Sequence, residues 1–411
     1  MAYVNFLTAS NQKEDPIVQD LSKSPLSLMA QRASSGKGVY GVKVFDYGRQ
    51  DGGQHPLLTD EEAGVEPSVP ARAIPLSDRS VAIFLLDVRS NKTPWPTSLW
   101  TKYFVDYEAD FLGSEQWNWL EQAVHRSTAA VNIFVTGLQV HADRFFDGNE
   151  VEDWSRFPMA QHRFYQTLLQ TPTLQAPVIV SGDVHMAQLL RKTCRQVNPS
   201  HDTPEERLLL EVTTSGMTHS WGTNICARPH STASCKSKLV ANSLATGMKF
   251  AHHNTAWTDV VHVKDPYDPE AKGGYQYVLE RNFGEFEFDW EQRQLIVRVF
   301  GEEVDAPPLL STSWDFDVLS GFRPPTKAGN LSQSDFEDLL QEILSHGANE
   351  QDWVCINSGG RQSLLLKIFG VISPIFLAGT LMSTPIWIPA LLMFIMLRRM
   401  KGAKTSCSSS S

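Results

Sequence analysis

None of the five cysteines (Cys194, Cys226, Cys235, Cys355, Cys407) stands in a CxxC pair, which excludes the commonest structural zinc clusters. No run of lysine and arginine precedes the C-terminus, and the formal net charge is −10, which argues against a nucleic-acid-binding surface. Met1 is not followed by a basic stretch with an apolar core, so no secretory leader is read there. No internal repeat is visible, which excludes a solenoid or propeller array. Charged residues are only 20% of the chain and hydrophobic residues 42%, so most of its 411 residues should fold around a core. Cys226 and Cys235 lie close enough in sequence to close a small loop in an oxidising compartment; unpaired thiols are the equal alternative. Asn91-Lys92-Thr93 and Asn330-Leu331-Ser332 fit glycosylation acceptors, a pattern that chance also supplies in a chain this long.

Residues 1–75 are polar and broken by Gly and Pro, with 50–75 reading as a long loop. The pattern changes at Ser80. Val81-Ala82-Ile83-Phe84-Leu85-Leu86 is the continuous apolar run of a strand covered on both faces. Residues 113–126 place Trp117, Leu120, Ala123 and Val124 at helical spacing. Residues 131–135 predict a second strand, 158–170 a helix opened by Pro158, and 177–180 a third strand. Strand, helix, strand, helix, strand is the order of a layered α/β sheet. Further on, 208–212 predicts a strand, 284–290 with 294–300 a hairpin, and 334–346 an amphipathic helix.

The stretch from Ile368 to Leu397 holds no charged residue and at 1.5 Å per residue would reach ~45 Å, longer than the roughly 30 Å hydrocarbon core. It predicts a membrane-inserted segment that contacts lipid and is kinked at Pro374, Pro385 and Pro389. Arg398, Arg399, Lys401 and Lys404 follow it, against Arg361 and Lys367 before it, a bias toward a cytosolic tail. The expected location is an endomembrane, secretory or plasma membrane, with a single pass or a shallow hairpin. One such segment cannot line a pore, so a channel or transporter subunit is excluded.

Ser181-Gly182-Asp183-Val184-His185 closes the third strand and presents a carboxylate and an imidazole two residues apart. Both are ligands for hard or borderline metal ions, and open α/β sheets bind ligands beyond their strand C-termini. An Asp there also caps helices, and a His also packs. Asp87-Val88-Arg89 follows the first strand. Arg89 reads either as the partner of Asp87 or as a phosphate-binding guanidinium. Gln139 and His141 follow the second strand. Thr213 to Ser220, with His219, follows the fourth. Four strand-end loops thus bring polar groups toward one putative crevice.

In this order the motifs resemble the PhoD-like (alkaline phosphatase D) metallophosphatases, over roughly residues 38–300. Gly38-Val39-Tyr40 with residues 42–47 is similar to that family's Gly-x-Tyr strand, and residues 85–89 to its strand ending in Asp-x-Arg. Residues 111–120 resemble its Leu-Gly-x-x-Gln-Trp-x-Trp-Leu helix entry. Residues 136–140 with Glu152 to Pro158 resemble its Gly-x-Gln…Glu-x-Trp-x-x-Phe-Pro segment, and 181–185 its Ser-Gly-Asp-Val-His motif without a change. Residues 211–221 and 282–285 are similar to eukaryotic members.

The resemblance implies a four-layer αββα sandwich that hydrolyses phosphoesters at divalent or mixed metal ions (iron, zinc, calcium or manganese). Asp183 is then a metal ligand, and His185 a ligand or a hydrogen-bond donor to the phosphate or leaving oxygen. Arg89, Gln139, His141 and His219 are candidate substrate contacts. The family's first-half motifs, Gly-Asp-x-x-Tyr and Trp-Asp-Asp-His-Asp, do not occur here. The expectation is therefore a partial sandwich from an N-terminally truncated phosphatase, a membrane-tethered pseudoenzyme or scaffold being the alternative. The expected parts are a loop-rich 1–75, the C-terminal half of the metallophosphatase domain over 76–320, a linker with an amphipathic helix over 321–363, a membrane segment over 364–399 and a basic, Ser-rich tail over 400–411.

Overall fold

The computed structural model describes residues 38–48, 54–55, 76–94, 106–142, 153–198, 206–218, 220, 261–262, 277–278, 280–303, 305–325 and 331–357. In chain order these form β1 (Gly41–Asp46), β2 (Gln54–His55), β3 (Ser80–Leu85), α1 (Gly113–Arg126) and β4 (Val131–Val135). A short 3-10 turn (Trp154–Arg156), α2 (Pro158–Leu169), β5 (Pro177–Ser181), β6 (Ala187–Gln196) and β7 (Glu206–Thr214) follow. Then come β8 (Val261–His262), β9 (Tyr277–Val278), β10 (Phe283–Asp289), β11 (Gln294–Phe300), β12 (Leu310–Asp315), α3 (Phe316–Leu319), α4 (Gln333–Leu344) and β13 (Trp353–Asn357).

Two sheets result. The larger has the order β13-β6-β7-β5-β4-β3-β1-β2, with β9 beside β6; the smaller is β10-β11-β12-β8. The centre of the larger sheet, β3-β4-β5-β7, is parallel. Those strands are apolar on both faces because both faces are covered. On one face Phe84, Phe134 and Ile179 meet α1 and α2 through Trp117, Leu120, Phe164 and Leu168. On the other, Val81, Ile133, Val178 and Val212 meet Leu295, Val297 and Val299 of β11 with Trp314 of β12. Each such side chain taken fully out of water contributes roughly 1.5–3 kcal/mol.

The helical spacing read over 113–126 and the Pro start at 158 match α1 and α2. The entry to α1 is fixed by Asp110, whose carboxylate accepts the Phe111 and Gly113 N–H groups and the Trp117 indole N–H, each at 2.8 Å. This supplies partners for amides that a helix start leaves open.

The described residues account for three layers, helices, sheet and sheet, of the partial four-layer sandwich expected. The outward face of the second sheet carries Arg298 between Glu285 and Glu287, at 2.8 and 2.5 Å. Two features go beyond the sequence reading. The amphipathic helix expected over 334–346 is α4, while Trp353–Asn357, expected within the linker, form β13, which pairs antiparallel with β6 along the main sheet. A disulfide joins Cys194 of β6 to Cys355 of β13, directly opposite in that pairing, whereas Cys226 and Cys235 lie outside the described residues. Residues 368–397 also lie outside them; among the described residues no helix is long and apolar enough to cross a membrane.

Candidate functional site

The register of the parallel strands brings four loops out at one edge. Leu85 lies beside Val135, Val135 beside Val180, and Ser181 beside Thr213. The chain after each strand therefore leaves the sheet at the same level, where open α/β sheets bind ligands. The loops touch. A Cβ at Gly137 would lie 3.3 Å from Val88 Cγ2, and one at Gly182 would lie 3.7 Å from Ser215 Cβ and 3.8 Å from the Gly137 carbonyl oxygen.

The Ser-Gly-Asp-Val-His turn is built from two left-handed residues, Asp183 (φ +74°) and His185 (φ +53°), around the buried Val184. Asp and His visit this region more readily than β-branched residues, at a cost of the order of 1–3 kcal/mol each. Val184 anchors the turn inward while Asp183 and His185 stand exposed on either side of it. The Arg89 Nη2 donates to Asp183 Oδ1 at 3.1 Å, with the two side chains 56% and 38% exposed. A pair this solvated contributes roughly 0–1 kcal/mol and is easily exchanged for another anion or cation.

The Asp87 carboxylate has other partners. The Asp87 carboxylate accepts the Val39 N–H at 2.7 Å, the Arg89 and Ser90 N–H groups at 2.9 Å, and the Ser90 hydroxyl at 2.6 Å. Burial alone would raise its pKa, but the hydrogen bonds from Ser90, Val39 and Arg89 outweigh it and hold the pKa below the ordinary value. Gln116 of α1 grips the same residue's backbone, its Oε1 accepting the Asp87 N–H and its Nε2 donating to the Asp87 carbonyl, both at 2.8 Å. The Asp-x-Arg loop and the Gln-Trp helix entry are thus one structural unit.

Behind the edge lies a buried polar network centred on Glu211 of β7. Its carboxylate accepts the backbone N–H groups of Val140 and His141 at 2.8 and 2.5 Å, and a hydrogen bond from Ser181. Gln139 Nε2 donates to Thr213 Oγ1 at 2.8 Å and to Gln188 Oε1 at 3.0 Å. The loop after β4 is thereby tied to β6 and β7, and Glu211 links it to the residue that opens the Asp183 turn. Burial pushes the Glu211 carboxyl up to about 7, against the hydrogen bonds from Ser181, Val140 and His141. Burial, with Lys192 nearby, holds the His141 imidazole well below its ordinary value, so it is neutral. His141 Nε2 lies 3.2 Å from the Leu209 carbonyl, which can only accept, so Nε2 carries the proton and Nδ1 faces the Tyr165 hydroxyl at 3.0 Å. The 3.7 Å approach of Nδ1 to Glu211 is a polar contact of a neutral ring, not an ion pair.

Of the six residues singled out by sequence, Arg89 and Asp183 meet, and His185 stands exposed beside them in the chain. Gln139 and His141 are fully buried and turned to protein partners, so as placed they hold the edge rather than line it. His219 lies outside the described residues. Glu211, Gln116 and Gln188 were not read as site-forming. The one available signal was Glu211 itself, a carboxylate inside Leu208-Leu209-Leu210-Glu211-Val212, which a strand buried on both faces admits only when paired.

The metal ions implied by the resemblance are not accommodated by this part alone. Among the described residues no group of three or more His, Cys, Asp or Glu side chains could hold a metal ion. The edge offers one carboxylate and one imidazole, whereas catalytic zinc sites, for example, use three protein ligands.

No curated protein sequence matches the chain. A solved structure described as "Structure of PhoD" is similar at 18% identity with a TM-score of 0.26, over 37% of this chain and 30% of that one. The chain thus spans less than a third of that structure's length. The family model described as PhoD-like phosphatase matches residues 79–261, the stretch that holds β3 to β7 and all four edge loops.

Proposed function

We propose that the edge formed by Arg89, Asp183 and His185 is the phosphate-facing part of a phosphoester hydrolase. The observation that supports this most is the meeting of Arg89 and Asp183, from two different strand-end loops, inside the region that matches the PhoD-like phosphatase model. A planar guanidinium held at the rim by a weak, solvated pair can turn to bind two phosphoryl oxygens through parallel N–H donors. His185, exposed in the same turn, donates a hydrogen bond or proton to the leaving oxygen. Asp183 orients the guanidinium and is the carboxylate that would join a metal-ligand set. Metal ions, of iron, zinc, calcium or manganese, need donors beyond the described residues, and the roles given to Arg89 and His185 stand without them. Residues 368–397 tether the chain to a bilayer.

The shortage of ligands among the described residues favours a second reading, a membrane-tethered scaffold that keeps the fold without turnover. Elemental analysis together with hydrolysis of p-nitrophenyl phosphate and bis-p-nitrophenyl phosphate separates the two. The hydrolase reading expects stoichiometric metal and turnover that falls at least 10²-fold, the lower range for removing a general acid, in His185→Ala. Metal-free protein without turnover supports the scaffold. Turnover unchanged in Asp183→Ala, Arg89→Ala and His185→Ala would place the chemistry elsewhere.

A further inference from the structure

We infer that the folded part of this chain matures on the side of a membrane opposite the cytosol, with Cys194–Cys355 as a standing structural disulfide and the basic tail after Leu397 left in the cytosol. The inference is independent of whether the edge hydrolyses phosphoesters.

The first observation is where the bond sits. Cys194 and Cys355 are bonded directly across neighbouring antiparallel strands, 161 residues apart in the chain, and are 0% and 5% exposed. This is no pair of surface thiols brought together by chance. Both side chains belong to the core cluster under α1 and α2, beside Leu209 and Trp353.

The second observation is what the bond holds. The α4–β13 segment has only a small apolar cluster of its own, Phe336, Leu340, Ile343, Val354 and Ile356. Small cores are the ones that use covalent staples. Trp353 joins the main core, and polar contacts complete the attachment. Gln166 of α2 brackets Trp353, accepting its N–H at 2.9 Å and donating to its carbonyl at 2.8 Å, and His162 meets Asp352 at 2.9 Å. The Tyr107 ring stacks on His346 while its hydroxyl donates to Glu342 at 2.9 Å. The disulfide is thus the single covalent tie of the last described strand to the sheet.

Disulfides persist in oxidising compartments and are kept reduced in the cytosol. The third observation comes from a different part of the sequence and points the same way. Four basic residues, Arg398, Arg399, Lys401 and Lys404, follow the charge-free run 368–397, against two in the residues just before it. Basic residues flanking a membrane segment stay on the cytosolic side. A cytosolic tail places the chain before residue 368 on the far side, where Cys194 and Cys355 oxidise. Cys407, in the tail, is then a thiol on the reducing side.

The test uses the full chain in eukaryotic cells, quenched with N-ethylmaleimide before lysis and digested without reductant. The expected result is a Cys194 peptide linked to a Cys355 peptide, with Cys407 alkylated. On sealed microsomes with their cytosolic face outward, added protease should remove the 398–411 tail and spare residues 38–357. Separate, alkylated Cys194 and Cys355 peptides would overturn the disulfide. Digestion of 38–357 in sealed vesicles with the tail protected would overturn the sidedness.

Discussion

The two margins of the main sheet are built to opposite rules. At the ends of the parallel strands the chain turns through two left-handed residues, exposes a carboxylate and an imidazole, and holds Arg89 by a solvated ion pair. Along the β6–β13 margin everything is closed: each residue of β13 is buried, and a covalent bond joins it to its neighbour. The open margin is held by a contact worth little in water, and the closed one is sealed from it. Between them lies the Glu211 network, which is buried like the second margin yet supports the first.

The largest effect should come from opening the closed margin. Removing a bond that closes a loop of 161 residues frees the unfolded chain by roughly 4–5 kcal/mol in the loop-entropy model. The paired variant Cys194→Ser/Cys355→Ser should therefore lower the urea midpoint sharply. Asp183→Ala, at the open margin, should leave it nearly unchanged. Similar losses in the two would erase the contrast drawn between the margins.

Next is the support beneath the edge. Glu211→Ala strands the Val140 and His141 amides in a dry interior, at about 1–3 kcal/mol for each unsatisfied group. Glu211→Gln keeps an acceptor but removes the charge, and so isolates the pH dependence. Glu211 is raised to about 7, so the fold binds its proton while the unfolded chain, near the ordinary 4.5, has lost it. Its contribution is fully present below about 4.5 and declines as pH rises through about 7, by no more than a few kcal/mol. His141, held neutral, acts in the other direction. Its contribution is present above 6.5 and is lost as pH falls below that value. Urea titrations from pH 4 to 9 should show that Glu211→Gln loses the decline in stability between about pH 4.5 and 7 and keeps the loss below 6.5 that His141 sets.

The smallest effect should be at the turn itself. Asp183→Gly relieves a left-handed residue and loses a solvated pair, two terms of about 1 kcal/mol with opposite sign. Its unfolding midpoint should stay within about 1 kcal/mol of the parent while any phosphoester turnover collapses. A large destabilisation would show that the turn is structural rather than functional.

The parts of the fold legible in the sequence are those where hydrophobic period alone decides. Residues 81–85 and 131–135 are short apolar runs rich in Val, Ile and Phe, interrupted only by Asn132, and α1 carries its apolar stripe at helical spacing. β6 was illegible because it contains Arg191, Lys192 and Arg195, which read as solvent-facing. In the fold their cations lie over the rings of Trp314, Tyr165 and Phe336, with Arg191 and Lys192 buried, and those rings come from distant parts of the chain. The Cys194–Cys355 bond was hidden for the same reason, since only the pairing of β6 with β13 sets the two sulfurs face to face. At the edge, the exposed turn at 181–185 was legible from its own residues. Gln139 and His141 follow β4 as read, and their burial was not legible because the Glu211 carboxylate that holds their loop lies about seventy residues away, at separations of 71 and 70.

The position of the disulfide also has a mechanical meaning. A tug on the chain beyond Asn357 reaches β13 first, and an edge strand held by hydrogen bonds alone would peel away one bond at a time. With Cys355 bolted to Cys194, such tension passes instead into β6, which is flanked on its other side by β7. Tension applied after Asn357 is thus borne by two strands of the sheet rather than by one.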